Sequence, residues 1–343
     1  MRRMALLGAA GLLTTLAAGS ESALGATATV TGDAGTATAL STTAPTAIRN
    51  IDVDAEVTFG TTEQGLSFTS TVLDPTGTPV SYTATCLGTK FSPSWKHSVE
   101  YRGNGIYALW VRYYASADTA CATPVSEQRF PFTISASTTV TAPTAPILLR
   151  EPNSFSKATP EIPVALNPGA TTYEVRYGAG AVLAADGSIS GPSDDSLVDR
   201  SKGTASLFLK EPGTYTVVAR VKSGSYASPW SAPATLTVLA PFDLDGLNFP
   251  DARGPRYTIK VKVREKTAKG IVSAALAPGE KGGKFVSIGK AKLRGGVTPN
   301  ASFTFTRKKI GIYRLKLTYP GSATVAAGFV TTKIRITRTL SFG

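Results

Sequence analysis

Three near-copies of one short stretch constrain this chain more than any other feature. They read Gly105-Ile106-Tyr107-Ala108-Leu109-Trp110-Val111, Gly213-Thr214-Tyr215-Thr216-Val217-Val218-Ala219 and Gly311-Ile312-Tyr313-Arg314-Leu315-Lys316-Leu317. Each opens Gly-x-Tyr and then alternates, the period of a strand with one buried side. Tyr107, Tyr215 and Tyr313 recur about every hundred residues, the length of a small β-sandwich whose penultimate strand commonly opens with a tyrosine. The pattern predicts an all-β chain of three sandwich domains in tandem. A length of 343 residues is too great for one ordinary core, and 33 glycines and 22 prolines favour strands joined by many turns.

The same pass divides the chain. Residues 1–28 read as a secretory signal: Arg2 and Arg3, an apolar run from Ala5 to Ala18, then small residues that suit cleavage after Gly25 or after Ala28. The run is short for a membrane span, no later stretch is long and apolar enough for one, and a secreted product is expected. Residues 29–46, rich in Thr, Ala, Gly and Ser, read as a flexible lead or an edge strand. Sandwiches are expected at 47–136, 147–240 and 256–343, with a Pro/Ser/Thr linker at 137–146 and a connector at 241–255.

The first of these contains Thr71-Val72-Leu73-Asp74 and Gly77-Thr78-Pro79-Val80 around an Asp74-Pro75-Thr76-Gly77 turn. This resembles the hairpin of bacterial Ig-like domains, and Gly311-Ile312-Tyr313 with Tyr319-Pro320-Gly321 resembles the ending of such repeats. The second contains Tyr173-Glu174-Val175-Arg176-Tyr177, Tyr215 and Ser228-Pro229-Trp230-Ser231-Ala232-Pro233, and resembles fibronectin type III domains. It departs from them where Ile162-Pro163-Val164-Ala165-Leu166 replaces the usual tryptophan of the second strand. The resemblance implies three Ig-like or fibronectin type III-like sandwiches, and stacking of Trp230 with Arg176 and Arg220. No Arg-Gly-Asp motif occurs.

Charge is the most informative composition. The net +13 is uneven: residues 29–140 carry −3, 141–240 carry zero, and 241–343 carry +15. The basic residues of the last part alternate along strands as Lys260, Lys262 and Arg264; Lys290, Lys292 and Arg294; Arg314 and Lys316; and Lys333 and Arg335. Alternation turns Ile259, Val261, Leu315, Leu317, Ile334 and Ile336 inward. The strands of Arg314 and Lys333 usually pair in a sandwich, so Arg314, Lys316, Lys333 and Arg335 should share one outer face. Such a face is either plain solvated surface or a hold for an anionic cell-wall polymer or acidic polysaccharide. Nucleic acid is expected only as a nonspecific polyanion.

Chemistry is otherwise sparse. His97 is the only histidine, so a histidine-based nucleophilic triad lacks its partner signature, and two cysteines without close spacing offer no zinc site. No enzyme activity, cofactor or metal is expected. Asp243-x-Asp245-Gly246-x-Asn248 reads as turn chemistry rather than a calcium loop. Cys86 and Cys121 are expected to pair in an oxidising compartment, although simple up-and-down tracing puts them at opposite ends of the sandwich unless 87–96 carries one back. Trp110 and Tyr114 stand in the outward register, either covered or forming a carbohydrate platform. The expected work is adhesion or binding outside the cell; the alternatives are a carbohydrate-binding module and a plain spacer.

Overall fold

A computed structural model describes residues 25–342 except 33–34, 61–65, 86–93, 150–158, 168–169, 171, 192, 252–255, 308 and 338–339. The protein is all-β, and among the described residues every named element is a strand. Two compact units are present. One takes Met1–Ile48, Asp52–Glu100 and Gly105–Ile134; the other takes Ser135–Gly343 with the short pieces Arg49–Ile51 and Tyr101–Asn104.

The first unit has nine strands: β1 (Thr27–Gly32), β2 (Thr36–Leu40), β3 (Thr46–Ile48), β4 (Val53–Thr58), β5 (Ser67–Leu73), β6 (Pro79–Thr85), β7 (Ser94–Val99), β8 (Gly105–Tyr114) and β9 (Pro124–Ile134). They form two sheets, ordered β2-β1-β4-β7 and β3-β9-β8-β5-β6. Tyr107, Leu109, Val111 and Tyr113 of β8 are fully buried, as the alternation requires. The β5–β6 hairpin turns where expected: the Asp74 carboxylate accepts the Thr76 and Thr78 N–H groups, and Gly77 N–H donates to the Asp74 carbonyl. Of the two readings for 29–46, flexible lead or edge strand, the second holds: the stretch forms most of the β1–β2 hairpin, with β2 at the sheet edge, β1 paired to β4, and Ala28 and Val30 buried. Alanine and valine at alternate positions suffice to hold a strand when a sheet edge is open to it.

In the second unit, Ser135 to Ala240 carries β10 (Ile147–Leu148), β11 (Glu161–Pro163), β12 (Thr172–Ala179), β13 (Val182–Leu183), β14 (Ile189–Ser190) and β15 (Asp194–Ser196). It continues with β16 (Val198–Asp199), β17 (Thr204–Ser206), β18 (Gly213–Ser223), β19 (Tyr226–Ala227) and β20 (Ala234–Leu239). The main sheet is β10-β20-β18-β12-β15, faced by β11-β17-β16. The segment expected as a linker is fastened by backbone bonds without forming a strand: Thr141 N–H donates to the Pro163 carbonyl, Ala165 N–H to the Thr139 carbonyl, and Val140 bridges Val164.

The remainder has β21 (Leu244–Asp251), β22 (Arg256–Val263), β23 (Ile271–Pro278), β24 (Val286–Lys292), β25 (Asn300–Thr306), β26 (Gly311–Tyr319), β27 (Gly328–Ile336) and β28 (Leu340–Phe342). Its sheets are β21-β22-β25 and β24-β23-β26-β27-β28. The core between them includes Ile259, Val261, Leu315, Leu317, Ile334 and Ile336, all fully buried, each burial contributing roughly 1.5–3 kcal/mol. The expected connector 241–255 largely belongs here: β21 pairs with β22, and Phe242 stacks on Tyr319 with ring centroids 4.9 Å apart. Apolar Leu244, Leu247 and Phe249, interleaved with the turn-like residues, dock it on that core.

The three repeated openings share one backbone state. Gly105, Gly213 and Gly311 have φ of 150°, 151° and 151°, which a side chain rarely adopts. At Gly105 a Cβ would also stand 2.6 Å from Cγ of Pro75. The tyrosines that follow lock their own corners: Tyr215 donates to the Glu211 carbonyl and Tyr313 to the Lys309 carbonyl, each at 3.0 Å.

Candidate functional site

The register of the carboxyl-terminal sheets decides which cations meet. Arg314 faces Lys333 across β26 and β27, Ile312 faces Arg335, and Lys316 faces Thr331. On the other side of β26, Lys316 faces Ala275 and Arg314 faces Ala277 of β23; Lys290 and Lys292 of β24 face Ser273 and Ile271. These positions share one side of the pleat, so Lys290, Lys292, Arg314, Lys316, Lys333 and Arg335 occupy a single outer face.

The other four do not join them. Lys260 and Lys262 lie on β22, in the opposing sheet, opposite Ser302 and Asn300. Arg264 follows that strand and pairs with Asp243 at 3.1 Å. Arg294 stands just beyond β24, bridged through its backbone to Asn300. The four expected on one outer face, Arg314, Lys316, Lys333 and Arg335, are therefore joined by Lys290 and Lys292, and the other four candidates lie off it. A strand's alternation tells which side its cations take, but not which of two sheets it enters.

Two aromatic rings that the sequence reading passed over lie among the six. Phe329, 62% exposed, lies beneath the Lys316 ammonium, 4.4 Å from its ring centroid. Phe285 is capped by the Arg314 guanidinium at 5.0 Å and approached by Lys316 at 5.8 Å. Phe329 shares the parity of Thr331, Lys333 and Arg335, so its outward side was readable. One acid approaches: Glu280 pairs with Lys333 at 3.5 Å, both groups exposed. An Arg314 N–H also donates to the Gly283 carbonyl. Among the described residues no ion pair joins Lys290, Lys292, Lys316 or Arg335 to an acid.

The aromatic alternative is overturned. Tyr114 is 3% exposed and its hydroxyl bonds Oγ1 of Thr69. Against β5, Tyr114 faces Ser67 and Tyr113 faces Phe68, so the two rings keep opposite sides of the sheet, and Tyr114 is covered on the outer one. Trp110 does turn outward, but the Arg112 and Arg129 guanidiniums lie over its ring, 3.2 and 4.4 Å from the centroid, and its Nε1–H donates to Glu127. Stacking on a sugar needs an open ring face, and these cations occupy that position.

Three further features are structural. Trp230 lies against Arg220 at 4.3 Å and Arg176 at 5.4 Å, as the fibronectin type III resemblance implied. Glu174 grips both guanidiniums, at 2.6 and 2.7 Å. Burial raises its pKa, but hydrogen bonding to Arg220 and the charges of Arg220, Arg176 and Lys222 outweigh that and hold it below the usual carboxylate value. His97 is a core residue of β7 between the hydroxyls of Ser70 and Ser81, and burial lowers its pKa. Asp243 accepts the Leu244 N–H and pairs with Arg264, and no metal-binding cluster of His, Cys, Asp and Glu occurs among the described residues. Cys86 lies outside the described residues. Cys121 sits in a left-handed turn (φ 51°) beside Asp118, whose carboxylate accepts the Ala122 and Thr123 N–H groups. The signal run up to residue 24 also lies outside them; no helix of the described residues is long and apolar enough to cross a membrane.

No protein-family model and no curated protein sequence matches the chain. Among solved structures it is similar to a tetra-tandem repeat in the extending region of a large adhesion protein, at 13% identity and TM-score 0.35, over 92% of each chain. It is also similar to bovine butyrophilin, at 13% identity and TM-score 0.33, over 58% of this chain and 99% of that one.

Proposed function

We propose that this chain is a secreted, non-enzymatic binding protein that works outside the cell. Its carboxyl-terminal sandwich holds an anionic surface or polymer by charge, while the sandwiches before it act as spacers. One observation carries this reading: six cations share the outer face of β24-β23-β26-β27, and Glu280 is the one acid paired with them among the described residues. Uncompensated charge of one sign on one face attracts a polyanion, and its hold weakens as salt screens it.

The test is retention of the full chain on anionic cell-wall material at low and at high salt. Retention is expected at low salt, loss at high salt, and loss at both for a Lys316→Glu/Arg335→Glu variant. Salt-independent retention, or a variant that binds as well as the parent, would sink the reading. A spacer with no ligand of its own is then what remains.

A further inference from the structure

We infer that the ligand of this face is a linear acidic polysaccharide lying in a trough along β23, between the cations of β24 and β26. The inference rests on the polyanion reading above and says where on the face the polymer runs.

The middle outward positions of β23 are small, with exposed Ile271 at one end. Ser273 and Ala275 are half-buried and form a low floor, while the strands on either side raise long side chains. On one bank Lys292 stands opposite Ile271 and Lys290 opposite Ser273; on the other, Lys316 stands opposite Ala275. The cations are thus staggered along the floor, two on one bank and one on the other. Ile271 to Ala277 spans about 20 Å at the usual strand rise, and β24 and β26 on either side of β23 stand about 10 Å apart, room for an extended chain and too narrow for a folded one. The trough closes at Ala277, which is fully buried; there Phe285 lies against Arg314, which itself bonds the Gly283 carbonyl.

This shape selects among polyanions. A lipid surface is contacted by protruding apolar tips, whereas here the centre is recessed. A flexible phosphodiester chain would satisfy the charges but leave Ile271, an exposed apolar side chain on the floor opposite Lys292, without a use. A pyranose chain bearing carboxylates or sulfates uses both, with its charged groups reaching the lysines and a ring C–H face resting on Ile271. Phe329, beneath the Lys316 ammonium, and Lys333, paired with Glu280, both lie on β27, two strands from the floor.

The experiment measures affinity of the full chain for alginate, a linear polyuronate, and for phosphatidylglycerol vesicles. Four variants are compared with the parent: Lys290→Glu/Lys292→Glu, Ala275→Leu, Ile271→Ala and Lys260→Gln. The parent is expected to prefer alginate. Ala275→Leu, which fills the floor without changing charge, should weaken alginate binding at least tenfold; the lysine pair should abolish it, Ile271→Ala should weaken it severalfold, and Lys260→Gln, on the opposing sheet, should leave it within twofold. Unchanged melting of Ala275→Leu shows that the loss is local. If Ala275→Leu binds like the parent while the lysine pair fails, the trough is wrong and the electrostatic reading stands. If the parent ignores alginate, the trough and the polysaccharide fall together; if it also fails on wall material, the electrostatic reading falls too. Tighter binding to the vesicles than to alginate overturns the inference in favour of a lipid surface.

Discussion

Tyr215 is tied to Glu211, four residues upstream: its hydroxyl donates to the Glu211 carbonyl at 3.0 Å, and the Glu211 N–H donates back at 3.3 Å. Tyr313 closes the corner on Lys309 in the same way. A largely buried hydroxyl exchanging bonds with backbone fixes the approach to the strand, and its net worth is about 1 kcal/mol. Tyr215→Phe and Tyr313→Phe should each lower unfolding free energy by about that much. The two sites share no partner, so the double variant should show the sum. Denaturant unfolding checks both; an effect near zero would mean that the rings alone, through packing, define the corner.

His97 predicts an acid-sensitive first unit. It is 2% exposed and bracketed by Ser70 and Ser81, and burial holds its pKa below the ordinary 6.5. As pH falls from that value the unfolded chain takes up the proton first, so the equilibrium shifts toward unfolding. Stability is full above 6.5, declines as pH drops toward the folded pKa, and levels off below it. Melting of the first unit across this range should show the decline, and His97→Gln, which keeps hydrogen bonding without titrating, should flatten it. A parent whose melting is indifferent to pH there would refute the assignment.

What the sequence made legible follows from period. Alternation set the inward side of β8, β18, β22, β26 and β27, and Gly-x-Tyr marked three strand openings because one backbone state admits glycine; the tyrosine hydroxyl satisfies the turn at Tyr215 and Tyr313. Sheet membership was not legible: Lys260 and Lys316 alternate alike, yet enter opposite sheets because pairing is a long-range choice. The edge strand β21 escaped too: positions 244–248 carry turn residues, since a strand at the margin of a core needs few apolar anchors. Tyr114 keeps the outward register that alternation gave it; what covers it there is not a matter of period and was not legible. The floor at Ser273 and Ala275 left no signal, as small residues in a strand read simply as weak strand formers.

Cys121 yields a prediction about redox state. Its left-handed backbone, held by the Asp118 carboxylate, presents the side chain from an ordered turn. Pairing with Cys86 should stabilise the first unit by roughly 2–4 kcal/mol. Reduction should then lower its melting temperature and slow the unfolded chain on a non-reducing gel, and Cys86→Ser/Cys121→Ser should reproduce the reduced form. A gel mobility that reductant does not change means that the thiols are free.

Cleavage of the expected signal is constrained by β1. Ala28 is 2% exposed and pairs with both Leu40 and Val57, and Thr27 pairs with Thr58. Removal after Ala28 would strip these contacts from the sheet, whereas removal after Gly25 leaves the strand whole. Mass spectrometry of secreted protein should give Ala26 as the first residue. Thr29 in that position would show that the first turns of the β1 ladder are dispensable.

Phe242 governs how the last sandwich is joined to the chain before it. Just upstream, the Ala240 N–H donates to the Thr324 carbonyl and the Ala240 carbonyl accepts from Ala326, both at 2.9 Å, so the backbone is fastened before the ring stacks on Tyr319. The ring is buried, and its removal leaves a cavity beside Tyr319 and Val325 in the core they share. Phe242→Ala should therefore cost the last sandwich about 3 kcal/mol, while Phe242→Leu, which keeps most of the volume, should cost less than half of that. Because the fastening at Ala240 depends on the same segment staying docked, the alanine variant should also open 240–248 to limited proteolysis under native conditions. If Phe242→Ala melts like the parent and stays resistant to protease, the backbone bonds alone hold the junction and the stack contributes nothing to it.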